Sequence, residues 1–228
     1  MRYNKHIILL ILIIICCSVI KGQIFFRIEA DFSIKEKSSD GKQSLTMGRV
    51  YYDKNIKKLL YKINFPEPGM MIIYDTTIYQ ITNNRIVNKT STLNLTDFSV
   101  YNLCLNGELP YYGLKNSPYK LTDIQKDSSM IITTWEIPPV INPGKGKLIL
   151  SQVDKKLNGL VSFDPDNNIL SKQFFRDYVN LNGLEFPTQV INYLYLNIDE
   201  DIKITTFKNI IFNNLEDEIY YNYPLSEF

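Results

Sequence analysis

The chain has 228 residues, 25 Lys+Arg against 24 Asp+Glu, three cysteines and one histidine. Arg2 and Lys5 followed by the unbroken apolar run Ile7 to Ile15 mark residues 1–22 as a signal peptide, too short and wrongly flanked to span a membrane. Removing it leaves 22 basic residues against 24 acidic ones, a net charge near −2, which excludes a basic field for nucleic acid or anionic surfaces.

The same cut takes away His6, Cys16 and Cys17. The mature chain, 23–228, then has neither a histidine base nor a His-containing zinc site, and no internal disulfide, since only Cys104 remains. Lipidation at Cys16 or Cys17 is disfavoured, because a lipobox wants a small residue before its cysteine, and these follow Ile15 and Cys16. Export, most simply to a bacterial periplasm, is the expectation. With 45% hydrophobic residues, the chain can bury a good core as one domain.

The mature chain opens with IFFRIEADFSIKEK, in which Ile24, Phe26, Ile28, Ala30, Phe32 and Ile34 alternate with polar partners. That is a strand with one wet face. Asp40-Gly41 signals a hairpin, Leu45 to Tyr52 returns, and Asp53 to Asn55 turns into KLLYKINFPEPGMMIIYDTTIYQI, 58–81. Leu59, Tyr61, Ile63 and Phe65 keep the period of two, Pro66 to Gly69 breaks it, and Met70 to Tyr74 resumes it with apolar side chains on both faces. A strand apolar on both faces must be covered twice.

The pattern changes between 93 and 118. Thr96 or Asn94 can cap a helix with Asp97 in its first turn. Phe98, Tyr101, Asn102, Leu105 and Leu109 lie at helical spacing, with Val100, Leu103 and Cys104 widening the apolar arc and Gly107 near the end. An irregular aromatic segment, LPYYGLKNSPY, follows. Strands then resume from 128 to 213, punctuated by turn formers at 142–144, 157–159, 164–168, 182–183 and 199–201. The polar-aromatic tail EDEIYYNYPLSEF is expected to lie over the surface.

These elements predict a mainly β (α+β) fold with few helices: a strongly curved antiparallel sheet or half-barrel of about 10–12 strands. Its concave face would be covered by a short helical lid, residues 95–117. No constellation for chemistry assembles. Asp164 to Asn168 lacks the glycine and distal glutamate of a calcium loop and reads as a turn, Gly144 to Lys147 lacks the rest of a phosphate loop, and Cys104 without a histidine is a core residue. Neither enzyme nor metal nor cofactor is expected. The 16 tyrosines suit half-buried sheet faces or an amphipathic ligand lining.

Gly48-Arg49-Val50-Tyr51-Tyr52, a strand ending in Pro66, Ile73-Tyr74-Asp75-Thr76-Thr77-Ile78-Tyr79, the strand near Trp135 and Phe186-Pro187-Thr188 together resemble the LolA-like superfamily of periplasmic outer-membrane lipoprotein carriers and lipid-binding domains. The resemblance spans most of 24–213 and implies a half-barrel whose apolar face, under a helical lid, holds acyl chains. This chain departs from the carriers in starting directly with a strand, and in having Asp53-Lys54-Asn55-Ile56 where they carry a basic-proline pair with a lid-engaging arginine. The implied function is a non-enzymatic envelope protein binding a lipid or lipoprotein acyl chain, lined by Leu59, Tyr61, Ile63, Phe65, Met71, Ile73, Phe98, Tyr101 and Leu105. The alternative is an envelope structural or protein-interaction domain of the same fold, filled with side chains and without cargo.

Overall fold

A computed structural model describes residues 24–91, 96–138, 140–141, 144–196 and 199–225. The expected signal peptide, Cys16, Cys17, His6, the candidate cap Asn94 and the turn residues Asn142 and Pro143 lie outside the described residues.

The strands are β1 (Arg27–Lys37), β2 (Gln43–Asp53), β3 (Lys58–Phe65), β4 (Gly69–Tyr74), β5 (Thr77–Thr82), β6 (Arg85–Ser91), β7 (Lys120–Asp127), β8 (Met130–Glu136), β9 (Leu148–Val153), β10 (Lys156–Phe163), β11 (Ile169–Leu181), β12 (Leu184–Leu196) and β13 (Asp199–Phe212). They form one antiparallel, curved and unclosed sheet in the order β6-β5-β4-β3-β2-β1-β13-β12-β11-β10-β9-β8-β7. The count exceeds the expected ten to twelve because β6 and β7 form the two edges, and the sheet does not close on itself.

Neighbouring strands are consecutive in sequence except at the centre, where β1 pairs with β13. The chain thus starts in the middle of the sheet, works outward to β6, crosses to the far edge at β7, and works back to the middle. The crossing segment holds α1 (Val100–Leu105) and two short 3-10 turns, Leu109–Tyr111 and Leu114–Asn116. A last helical turn, α2 (Glu218–Tyr221), follows β13. No helix among the described residues is long and apolar enough to cross a membrane.

Several turn assignments shift. Asn158 and Gly159 lie inside β10 at a register shift, because Leu157 is fully buried and Asp154 and Lys155, both with positive φ, make the reversal instead. Asp199 to Asp201 belong to β13 rather than a turn, since they pair with Leu194 to Leu196. The Asp164 to Asn168 turn forms as expected: the Asp164 carboxylate accepts from the Asn168 backbone and side chain at 2.7 and 2.8 Å.

The polar face of the opening strand is covered at Arg27 and Glu29 and becomes wet toward Lys35 and Lys37. Ile28, Ala30 and Phe32 of β1 join the main core with Val50, Tyr52, Leu59, Ile73, Phe186, Phe207 and the crossover side chains. On the opposite face Arg27 and Glu29 are also buried, beneath the C-terminal segment. There Tyr51, Leu60, Ile72 and Ile81 form a second core capped by Tyr220, Tyr221, Tyr223 and Leu225. The double apolar demand of β3 and β4 is therefore met by two covers, the crossover on the inner face and the tail on the outer face.

Candidate functional site

Six residues make α1, fewer than the apolar spacing suggested. Ser99, not Thr96, is its cap: Ser99 Oγ accepts from the Asn102 backbone N–H at 3.2 Å and donates to the Thr96 carbonyl at 2.7 Å. Thr96 to Phe98 are drawn into the turn before it. At the other end Gly107 N–H donates to the Cys104 carbonyl and Glu108 N–H to the Leu103 carbonyl, at 2.9 and 2.8 Å, a Schellman closure that leaves Leu109 outside the helix.

Buried polar bonds hold α1 against the sheet. The Tyr52 hydroxyl donates to Asn102 Oδ1 at 2.8 Å, Asn102 Nδ2 donates to the Asp97 carbonyl at 2.9 Å, and Lys54 Nζ reaches the Leu105 carbonyl at 3.2 Å. Burial pushes the Tyr52 hydroxyl above its usual pKa, with the charges of Asp97 and Asp53 adding to the rise, so it stays a neutral donor.

Beneath α1 the inner face is filled by rings. Tyr101, 2% exposed, lies with its centroid 5.7 Å from Phe207, 6.1 Å from Tyr52, 6.3 Å from Phe186 and 6.4 Å from Tyr61. Such pairs stabilise by about 0.5–1.5 kcal/mol each beyond their area burial. The Tyr61 and Tyr101 hydroxyls meet at 3.4 Å, and burial raises both pKa values.

Most of the expected lining residues gather here. Leu59 pairs with Ile73, and Tyr61 with Met71, across β3 and β4. Leu59, Ile73, Tyr101 and Leu105 are buried core, Tyr61 and Ile63 pack against it, and Met71 is half-buried. Phe65 stands apart, 44% exposed at the end of β3. Phe98 turns away from this cluster and stacks on Tyr112 at 6.0 Å.

Open space lies farther along the crossover. A cavity of about 450 Å³ sits between the 3-10 segment and the β9–β11 half of the sheet. Phe98, Tyr112, Leu114 and Tyr119 form its crossover wall, and Leu148, Ser162, Phe163 and Leu170 its sheet wall. Ile137 and Ile141, from the β8–β9 connection, close the third side, with Lys145 at the rim. Of the nine expected residues only Phe98 borders this space.

The walls follow from local structure. Tyr112 and Gly113 both take positive φ, which reverses the chain and drives Leu114 into the core, 1% exposed. Tyr112 also packs on Phe175, and its buried hydroxyl is pushed up to about 12. The Gln152 side chain donates to the Pro110 carbonyl and pins the crossover to β9. Two other hollows, of about 540 and 520 Å³, are bordered by charged groups: Lys54, Lys57 and Asp97 in one, Glu36, Asp201 and Lys203 in the other. The first is walled mostly by polar side chains, and the second sets Tyr193, Leu194 and Ile202 among Glu36, Lys37, Asp201 and Lys203, so neither is as uniformly apolar as the crossover cavity.

Sequence reading missed Leu148, Phe163, Leu170, Ile137 and Ile141 as cavity walls. The first three carry only ordinary strand periodicity, and the connection 137–147 showed no pattern beyond its prolines. The aromatic run 109–119 was the available signal.

No protein-family model and no curated protein matches the sequence. Solved structures do match in shape. A LolA superfamily protein from Nitrosomonas europaea aligns over 86% of this chain and 90% of its own, with TM-score 0.58 and 11% identity. A domain named as an outer-membrane lipoprotein-sorting protein, from Vibrio parahaemolyticus, aligns over 86% and 89%, with TM-score 0.59 and 12% identity. The fold is LolA-like. A DUF1329 family protein from Desulfovibrio piger shares this LolA-like shape, with TM-score 0.59 and 10% identity over 91% of this chain and 93% of its own. At these identities the likeness extends to the fold alone.

Proposed function

We propose that this chain is a non-enzymatic, exported envelope protein that holds a lipid or lipoprotein acyl chain between its curved sheet and the crossover segment. The crossover serves as the lid of a half-barrel. The observation that carries this reading is the apolar cavity of about 450 Å³ under the 3-10 segment, within the range of small-ligand sites. The lipoprotein-sorting name of one structural neighbour supports the ligand class, and the LolA-like fold supports the placement under a lid. The absence of a histidine beyond residue 6, and a buried Cys104, support a binding role rather than catalysis.

The site moves relative to the sequence expectation. The space under α1 is occupied by Tyr101 and its neighbours, so the acyl chain enters beside Phe98 and Tyr112 rather than beneath Leu105.

A neutral, polarity-sensitive acyl ester tests this reading. Lipid-stripped protein should bind it with a blue-shifted, enhanced emission, and Leu148→Trp, which fills the cavity, should abolish the response while the circular dichroism spectrum is kept. A native protein that binds no acyl probe would leave the cargo-free structural or interaction domain as the surviving alternative.

A further inference from the structure

The cavity is apolar on three sides, yet its single charged border residue is a lysine. Among the described lining residues, Lys145 alone carries charge, and no carboxylate joins it. A second ammonium stands nearby: Lys147 Nζ lies 5.0 Å from the centroid of the Phe163 ring, itself a wall residue. The adjacent acid, Asp164, is committed to its own turn through both carboxylate oxygens on Asn168.

This rim is held in place. The Tyr119 hydroxyl donates to the Gly146 carbonyl at 3.2 Å, tying the rim to the crossover wall. Phe163 N–H donates to the Lys147 carbonyl at 3.1 Å, tying it to the sheet wall. Between them Gly146 packs so closely that a Cβ there would lie 2.2 Å from the Asp164 carbonyl oxygen, an approach that only glycine permits. The backbone carrying Lys145 is thus fixed at the mouth, while the exposed side chain keeps its reach.

We infer that the cavity takes a single acyl chain ending in an anionic group, its tail against Phe98, Tyr112, Leu148 and Phe163 and its head paired with the Lys145 ammonium at the rim. This deepens the lipid-binding reading and rests on it. The physical basis is charge complementarity: a tail held in the cavity keeps its anionic head beside the exposed ammonium, where a charge-assisted hydrogen bond adds modestly to apolar binding. A neutral ester of the same chain would fill the cavity and leave the lysine without a partner. A free fatty carboxylate and a single-chain phospholipid with an anionic head share this chemistry.

The test uses lipid-stripped full-length protein and titration calorimetry with hexadecanoate, methyl hexadecanoate and a lysophosphatidylglycerol of equal chain length. Both anions should bind on the order of tenfold more tightly than the ester. A gain confined to one anion identifies the head as carboxylate or phosphodiester, and either supports the proposal. Lys145→Gln should bring anion affinity down to the ester's level, Lys145→Arg should retain the gain, and Lys208→Gln, exposed on β13 and bordering none of the three hollows, should change nothing. Equal binding of acid and ester by the native protein overturns the anionic-head inference while leaving the acyl-binding reading intact. Binding of neither overturns both, and an anion preference surviving in Lys145→Gln overturns the rim assignment.

Discussion

The Tyr52 hydroxyl donates to Asn102 Oδ1 at 2.8 Å, joining the C-terminal end of β2 to the middle of α1 through a bond shielded from water. Asn102 Oδ1 also accepts from Asn106 Nδ2 at 2.9 Å, so removing the tyrosine hydroxyl does not orphan the acceptor. Tyr52→Phe should therefore cost only about 1 kcal/mol in urea unfolding. Asn102→Ala strips the buried Tyr52 hydroxyl and the Asp97 carbonyl of their partner together, and should cost roughly 2–3 kcal/mol. Equal losses in the two variants would refute this account of how the crossover is held.

At Gly48 of β2 there is no room for a side chain beside the backbone of β3. A Cβ there would sit 2.0 Å from the Lys62 carbonyl oxygen, beside the register shift between Met47 and Gly48. The obstructing atom is backbone, which cannot rotate away. Gly48→Ala should cost about 1–3 kcal/mol, as overpacking does in a close-packed interior, and shift the thermal midpoint down. An unchanged midpoint would mean that the two strands can separate there at little cost.

The parts of the fold legible in the sequence are those where burial imposed a period. The alternation in 24–37 and 58–65 gave β1 and β3 directly, and the apolar arc around Tyr101 located the crossover helix. The reading passed over β6 and β7, the two sheet edges. Every residue of Lys120–Asp127 is exposed, as is every residue of Arg85–Ser91 except half-buried Ile86, so no buried face wrote a pattern into either segment. The outer cover was illegible for a different reason. Arg27 and Glu29 look like solvent-facing charges in a strand, and only the returning tail, 191 and 192 residues away at Glu218 and Tyr221, covers them. The cavity walls were hidden likewise, because Phe98, Leu148 and Phe163 meet only through topology.

Cys104 lies on the buried face of α1 against β12, 4% exposed, with its thiol donating to the Glu185 carbonyl at 3.3 Å. Burial pushes its pKa far above the ordinary thiol range, so no thiolate forms at neutral pH. Iodoacetamide labelling read by peptide mass spectrometry should leave Cys104 unmodified in the native protein and alkylate it fully in urea. Rapid native labelling would show that the crossover opens.

Asp31 supplies a pH signature. Burial alone would raise its pKa, but the Asn209 amide at 2.7 Å and the Arg49 guanidinium at 2.7 Å together outweigh it and hold the carboxyl below its ordinary 3.8. A depressed native value means the carboxylate stabilises the fold above 3.8, and this contribution fades as pH falls through the native value. Asp31→Asn should melt below wild type at neutral pH, and the two melting curves should converge under more acid conditions. A gap that persists once the carboxyl is fully protonated would assign the loss to geometry rather than charge.

Arg49 and Glu29 carry the outer cover. Glu29 has no exposed surface, and its carboxylate accepts from Arg49 Nη2 at 2.7 Å, Asn214 Nδ2 at 2.9 Å and the Tyr221 hydroxyl at 3.2 Å. Arg49 also grips Asp31 at 2.7 Å. Burial opposes its charge, but the two carboxylates more than offset this and hold its pKa above the usual arginine value. Tyr221 closes the arrangement by laying its ring 4.4 Å from the Arg27 guanidinium. Breaking one side leaves a buried charge with neutral donors alone, so Arg49→Met should cost about 3–5 kcal/mol and loosen the tail. Adding Glu29→Gln removes the orphaned charge, leaves an amide oxygen to accept from Asn214 Nδ2 and an amide N–H to donate to the Tyr221 hydroxyl, and should recover more than half of that loss. Urea midpoints of the two single variants and the double variant measure the coupling, and hydrogen exchange over 214–225 reports the tail. Additive losses would mean that the pair is not coupled, and the tail would then be held by the Arg27–Glu218 ion pair, by Lys58 Nζ donating to the Tyr223 carbonyl and by Tyr220 stacked on Tyr51.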